Sequence, residues 1–108
     1  MSDPTISRSL GAFASRVEPG TLPLEVTTSV RERILDTVGL CLGAVPLDTS
    51  RMALRVGQAW GGPEEATVLG ARGSLPATSA AFVNGVLAHS LDFDDTHLPS
   101  VLHPSASI

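Results

Sequence analysis

Seven residues able to do chemistry fall within one short segment: His89, Asp92, Asp94, Asp95, Thr96, His97 and His103. All three histidines of the chain are among them, and three of its eleven acidic residues stand in Asp92-Phe93-Asp94-Asp95. Imidazoles beside carboxylates open several chemistries. One is a divalent metal site, although the spacing matches no strong signature: no His-Glu-x-x-His, no calcium loop with its glycine, no cysteine cluster. Another is metal-free acid–base chemistry, with an imidazole and a carboxylate set around a substrate carbon that bears an acidic proton. An imidazole titrates at about pH 6.5, so it can give or take a proton near neutrality. A third is an Asp-x-Asp-Asp proton donor of the terpene-cyclase type, which wants an aromatic-lined cavity that one Trp and three Phe cannot supply. The reading without chemistry has Asp92 or Asp95 capping a turn, His97 in solvent and His103-Pro104 making a bend.

Whatever the segment does, a helix must hold it. Residues 76–91 alternate small side chains (Ala77, Ser79, Ala80, Ala81, Gly85, Ala88) with Phe82, Val83, Val86, Leu87 and Leu91, the composition of a helix packed closely on several sides. Upstream, residues 6–17 carry Leu10, Phe13, Ala14 and Val17 at helical spacing, and Glu18-Pro19-Gly20 stops that helix. A second helix begins at Pro23, which suits a first turn, and Pro46 ends it. Its apolar stripe is Val26, Val30, Ile34, Val38, Leu42 and Val45, widened by Leu35 and Cys41, with Arg31, Glu32 and Arg33 toward solvent. The stretch from Val38 to Ala44 is apolar nearly all round, which predicts protein on every side and close backbone approach at Gly39 and Gly43. Asp48 or Thr49 can cap a third helix whose apolar face reads as Met52, Val56, Ala59 and Trp60. Gly61-Gly62-Pro63 breaks it, and residues 66–70 read as a short extended segment or isolated strand.

The sequence has 108 residues, 43% of them hydrophobic and 17% charged, which excludes a disordered chain and fits one domain or part of one. With an aromatic share of 4%, the core must be built from Leu, Val and Ala, which favours close-packed helices. All seven basic residues are Arg, so Schiff-base and lysine-base chemistry are excluded from this chain. A net charge of −4 without a basic stripe excludes nucleic acid as a partner. The single Cys41 gives no internal disulfide and no sign of an oxidising compartment. Residues 1–4 are polar and acidic, unlike a signal peptide, and the most apolar run, residues 34–47, is too short for a bilayer. These features predict a cytoplasmic protein with no membrane partner.

The run Ala81-Phe82-Val83-Asn84-Gly85-Val86-Leu87-Ala88-His89-Ser90-Leu91-Asp92-Phe93-Asp94-Asp95-Thr96-His97, followed by His103-Pro104-Ser105, resembles the signature of the MmgE/PrpD family. That family includes 2-methylcitrate dehydratases, cis-aconitate decarboxylases and an iminodisuccinate epimerase. The earlier order agrees: a helix near Leu10, a long helix ending Asp36-Thr37-Val38-Gly39-Leu40-Cys41-Leu42-Gly43, then Thr67-Val68-Leu69-Gly70 before the Asn84-Gly85 helix. The resemblance implies a fold and a chemistry. The fold would be all-α, about four helices forming the N-terminal portion of a large helical domain, with the active site between it and a smaller α+β domain. Members are commonly dimeric and work without an iron–sulfur cluster, so neither a cofactor nor a metal is expected. Carried onto this sequence, His103 would transfer the proton and Asp92 would orient or charge-balance it. Thr96 would donate a hydrogen bond to a substrate carboxylate or hydroxyl, with His97 a further substrate-binding residue.

Departures from the family pattern carry expectations of their own. Family members run several-fold longer, and their lysines lie beyond this point, whereas this chain has no Lys and its arginines precede the motif. Residues 1–108 are therefore expected to form part of the N-terminal helical domain and to be inactive alone. The partner would be the remainder of the enzyme or a second copy in a homodimer, and the substrate a small carboxylic acid. The chain reads His103-Pro104-Ser105-Ala106 where methylcitrate dehydratases carry His-Pro-Ser-Asp, and Asp94 where those often carry Asn. Those differences leave dehydration, decarboxylation and epimerisation open. The alternative is a non-catalytic helical interaction module, because the apolar faces of the second and fourth helices exceed what four helices cover.

Overall fold

Proline and glycine punctuate the middle of this chain, and the computed structural model, which describes residues 5–107, follows that punctuation there: helices end just before Pro46 and Gly61-Gly62. Four α-helices and one pair of two-residue strands are present among the described residues, so the class is all-α as the sequence predicts. Residues 1–4, on which the reading of the N-terminus rests, lie outside the described residues. None of the described helices is long and apolar enough to cross a membrane. The chain divides into two units, Met1–Arg31 and Glu32–Ile108.

In the first unit, α1 (Ile6–Ala14) is capped by Thr5, whose hydroxyl accepts from the Arg8 amide at 3.4 Å. It stops three residues before the expected end. Arg16 and Val17 amides bond to carbonyls only three residues back, and the Arg16 Nε donates to the Ala12 carbonyl at 2.8 Å, satisfying an orphan acceptor. No residue of α1 is buried, so its stripe of Leu10 and Phe13 is formed but uncovered. A 3-10 turn at Pro19–Thr21 leads into α2 (Leu24–Ala44), whose first amide bonds go to the Pro23 carbonyl.

The second unit holds the core: Cys41 and Ala44 from α2, Val68, and Ala80, Val83, Leu87 and Ala88 from α4 (Ala77–His89). The buried face of α2 is therefore set by Cys41 and Ala44, and the stripe read from the sequence is wrong in part, since Ile34 and Leu42 are more than half exposed. The apolar C-terminal end of α2 is not enclosed all round either. At Gly43 the nearest atom to an added Cβ is a side-chain carbon of Leu91 at 3.3 Å, and at Gly39 there is open space.

The close approach belongs instead to α3 (Asp48–Ala59), which packs against α4 through its small residues Ser50, Ala53 and Gly57. A Cβ at Gly57 would lie 2.9 Å from Val83 Cγ2 and 3.2 Å from Leu75 Cδ1. Met52, Val56, Ala59 and Trp60 face outward, which reverses the expected apolar face. Neither Asp48 nor Thr49 caps the helix; Leu47 holds the cap position, and Asp48 sits in the first turn, where a carboxylate suits the helix dipole.

Residues 66–70 are extended at their start, as β1 (Ala66–Thr67), which pairs antiparallel with β2 (Ser74–Leu75) in the register Ala66↔Leu75 and Thr67↔Ser74. Nothing in the residue pattern predicts β2. Asn84 ties this hairpin to α4: its side-chain amide donates to the Thr67 carbonyl at 3.0 Å and accepts from the Leu69 amide at 2.9 Å. Glu65 does the same at the helix start, accepting from the Ala77 amide at 3.0 Å where Pro76 offers no cap. These bonds fix α4 against the hairpin, and α4 delivers the polar segment.

Candidate active site

His89 is the last residue of α4, and the chain then turns back beneath it. The Asp92 amide donates to the His89 carbonyl at 2.9 Å, and Asp92 itself adopts a left-handed backbone with φ of 55°. Asp tolerates that region better than most residues. The reversal carries Asp94 under the ring of His89. Beyond it, His97 and Leu102 form an isolated antiparallel bridge, closed by the His97 amide donating to the Leu102 carbonyl at 2.8 Å. Val101 in that turn has φ of 52°, a strained conformation for a β-branched residue. The bridge returns His103 to the carboxylates.

Asp94 is the centre of the cluster, with its side chain 1% exposed. One oxygen lies 3.0 Å and the other 3.2 Å from His89 Nδ1. The second oxygen is also 3.3 Å from His103 Nδ1. The same His103 nitrogen lies 3.4 Å from the Asp94 backbone carbonyl and 3.4 Å from the Thr96 hydroxyl. The opposite nitrogen of that ring, Nε2, faces Asp92 at 4.0 Å, and Asp92 is 80% exposed. The two imidazoles meet edge to face with centroids 4.8 Å apart.

Asp95 is held by different groups. It accepts from the Ser105 amide at 3.1 Å and pairs with Arg33 of α2. Hydrogen bonding from Ser105, then the positive charges of Arg33 and His103, keeps its carboxyl below the usual carboxylate range, while desolvation works the other way. At the far side of α4, burial pushes the Cys41 thiol above its ordinary value, so this cysteine is a packing residue.

Of the residues expected from the sequence, Asp92, Thr96 and His103 come together. His97 does not join them; its Nδ1 bonds to the Ser100 hydroxyl at 2.6 Å within the loop. Thr96 is exposed, with its hydroxyl also 3.5 Å from the Asp94 carbonyl. His89 and Asp94 stood among the seven candidates without an assigned role, and Arg33 was not expected as a site residue. The five-residue step from His89 to Asp94 across a helix end is a signal that could have been read; the Arg33–Asp95 pairing, sixty-two residues apart, has none.

Donor atoms of His89, Asp92, Asp94 and His103 lie within 4.8 Å of one another, so these four residues could hold a divalent ion. Both Nδ1 atoms already face Asp94, so a cation there would have to displace imidazole–carboxylate contacts. The arrangement as it stands is an imidazole with one nitrogen engaged on a buried carboxylate and the other turned outward, the geometry of a group that exchanges a proton with a ligand.

Comparison with known proteins bears on whose site this is. The family described as MmgE/PrpD N-terminal domain matches residues 8–108. Human cis-aconitate decarboxylase is 33% identical over 105 residues, which covers 96% of this chain and 22% of that protein. Mouse cis-aconitate decarboxylase is 62% identical over a stretch of 34 residues, 32% of this chain and 7% of that protein. The chain thus spans less than a quarter of the length of the curated relatives it matches. No solved structure gives a significant match.

Proposed function

The chain belongs to the MmgE/PrpD family, and from that premise we propose that it carries part of a lyase site that moves a proton at a carbon of a small di- or tricarboxylic acid. His103 is the proton-transferring group and Asp92 its charge-balancing partner. Thr96 donates a hydrogen bond to a substrate carboxylate or hydroxyl once substrate draws it from Asp94, and His97 stands at the rim as a secondary binding residue.

The observation that carries this reading is the seat of His103, with Nδ1 engaged on Asp94 and Nε2 at 4.0 Å from Asp92. That gap exceeds hydrogen-bond length, so Nε2 is available to a substrate. In an elimination, Nε2 takes the proton from carbon and the freed electron pair expels the leaving group. In a decarboxylation, the carbon–carbon pair released with carbon dioxide takes the proton from His103 instead. Either way Asp92 and Asp94 flank the imidazolium. Both curated relatives are cis-aconitate decarboxylases, which supports cis-aconitate as the first acid to try.

The chain alone is inactive on this account. A substrate bearing two or three carboxylates needs cationic clamps. The segment already carries Asp92, Asp94 and Asp95, the sequence has no Lys, and Arg33 is paired with Asp95. A second protein segment, either the remainder of the enzyme or a partner in a homodimer, supplies the missing cations. Turnover of cis-aconitate and of 2-methylcitrate is measured for the chain alone and for the enzyme completed by co-expression. Activity is expected only in the completed enzyme, and turnover by the 108-residue chain by itself would contradict the account.

A second reading, a helical module that binds a longer paralogue or its own copy without catalysis, is favoured by the exposure of Leu10 and Phe13 in the first unit and of Leu35 and Trp60 in the second.

A further inference from the structure

We propose that Asp94 is a positioning residue that fixes both His89 and His103 as their Nδ1–H tautomers, leaving His103 Nε2 bare toward Asp92. An ionised carboxylate only accepts hydrogen bonds. Asp94 presents one oxygen 3.0 Å from His89 Nδ1 and another 3.3 Å from His103 Nδ1. The Asp94 backbone carbonyl, also an acceptor only, lies 3.4 Å from the same His103 nitrogen. The Thr96 hydroxyl, 3.4 Å from the same nitrogen, donates to the Asp94 carbonyl and so turns a lone pair to the ring; with acceptors on every side, each Nδ1 carries the hydrogen.

A neutral ring has one hydrogen, so both Nε2 atoms are lone-pair acceptors. Burial makes the constraint strong, because the Asp94 side chain is 1% exposed and has little water to turn to. Solvated histidine prefers the opposite tautomer, so without Asp94 the proton would sit on the nitrogen that faces the substrate. One buried carboxylate thus serves two rings and decides which face of each is the base.

The consequence for catalysis rests on the reading of His103 as the proton-transferring group; the tautomer assignment does not. The experiment is nitrogen–proton correlation NMR on the full chain labelled with 15N at its three histidines. Spectra are taken with a chelator present, at about pH 8, where imidazoles are neutral. The expected spectrum has His89 and His103 as Nδ1–H.

In Asp94→Asn the side-chain amide offers one acceptor oxygen instead of two. At least one ring is then expected to revert to Nε2–H, His89 first, because His103 keeps the backbone carbonyl. An Nε2–H His103 in the unsubstituted chain would overturn the proposal, and so would an Asp94→Asn chain in which both rings stay Nδ1–H. The unsubstituted spectrum decides the matter even where the variant fails to fold. Activity that survives His103→Gln in the completed enzyme would remove the catalytic reading and leave the tautomer assignment standing.

Discussion

Asp94 and Asp95 are adjacent in the chain but answer to different groups: Asp94 to two imidazoles, Asp95 to Arg33 and Ser105. Asp95 makes the pH prediction. Its carboxyl titrates below the ordinary 3.8, so folding lowers its proton affinity. A group depressed in this way contributes stability that is fully present above the unfolded value and is lost as pH falls through the folded one. Unfolding midpoints in denaturant, followed from neutrality to strongly acid pH, are expected to fall less steeply below about pH 4 for Asp95→Asn than for the parent chain. The variant should be the less stable of the two at neutral pH, and the difference should vanish in acid. Parallel curves would mean that Asp95 carries no such linkage. At this scale a resemblance to a family motif singled out Asp92, Thr96 and His103, and the structure brings the three together. Asp94 looked like one more acid, since nothing in Asp-Phe-Asp-Asp says which carboxylate is buried.

At the scale of elements, punctuation was readable and faces were not. Pro46, Gly61-Gly62-Pro63 and Pro76 bound α2, α3 and α4 where expected. The face of α3 misled because its contact with α4 is made by Ser50, Ala53 and Gly57, while its larger apolar side chains, Met52 and Val56, point out. Small residues carry weak hydropathy but permit helices to come close. The strand Ser74–Leu75 was invisible for a related reason: it lacks β-branched residues, and its partner is held by Asn84, fifteen residues or more away along the chain. Gly57→Ala tests the close crossing. Helix propensity favours Ala by about 1 kcal/mol, but overpacking against the fully buried Val83 and against Leu75 costs about 1–3 kcal/mol. A net loss of stability is expected in thermal unfolding, and a gain would show that Val83 can yield.

For the whole molecule, the balance of covered and uncovered apolar surface matters most. In the first unit Ile6, Leu10 and Phe13 are all more than 60% exposed, and in the second Leu35 and Trp60 are similarly open. Patches of that kind usually meet a partner or aggregate. Light scattering on the chain alone is expected to report a species heavier than the 11.2 kDa monomer, and a stable monomer at high concentration would contradict this. The same surfaces serve either reading of the function, since a completed enzyme and an interaction module both need them covered. Only chemistry separates the two.

If His103, posed by Asp94, moves the substrate proton, His97 provides the internal control. The two histidines share one loop, but His97 bonds to Ser100 and lies outside the carboxylate cluster. The measurement is cis-aconitate turnover by the completed enzyme carrying either His103→Gln or His97→Gln. A loss of about 10²–10⁴-fold in kcat is expected for His103→Gln, and a far smaller one for His97→Gln. Equal losses, or a His103→Gln enzyme as fast as the parent, would contradict that role for His103.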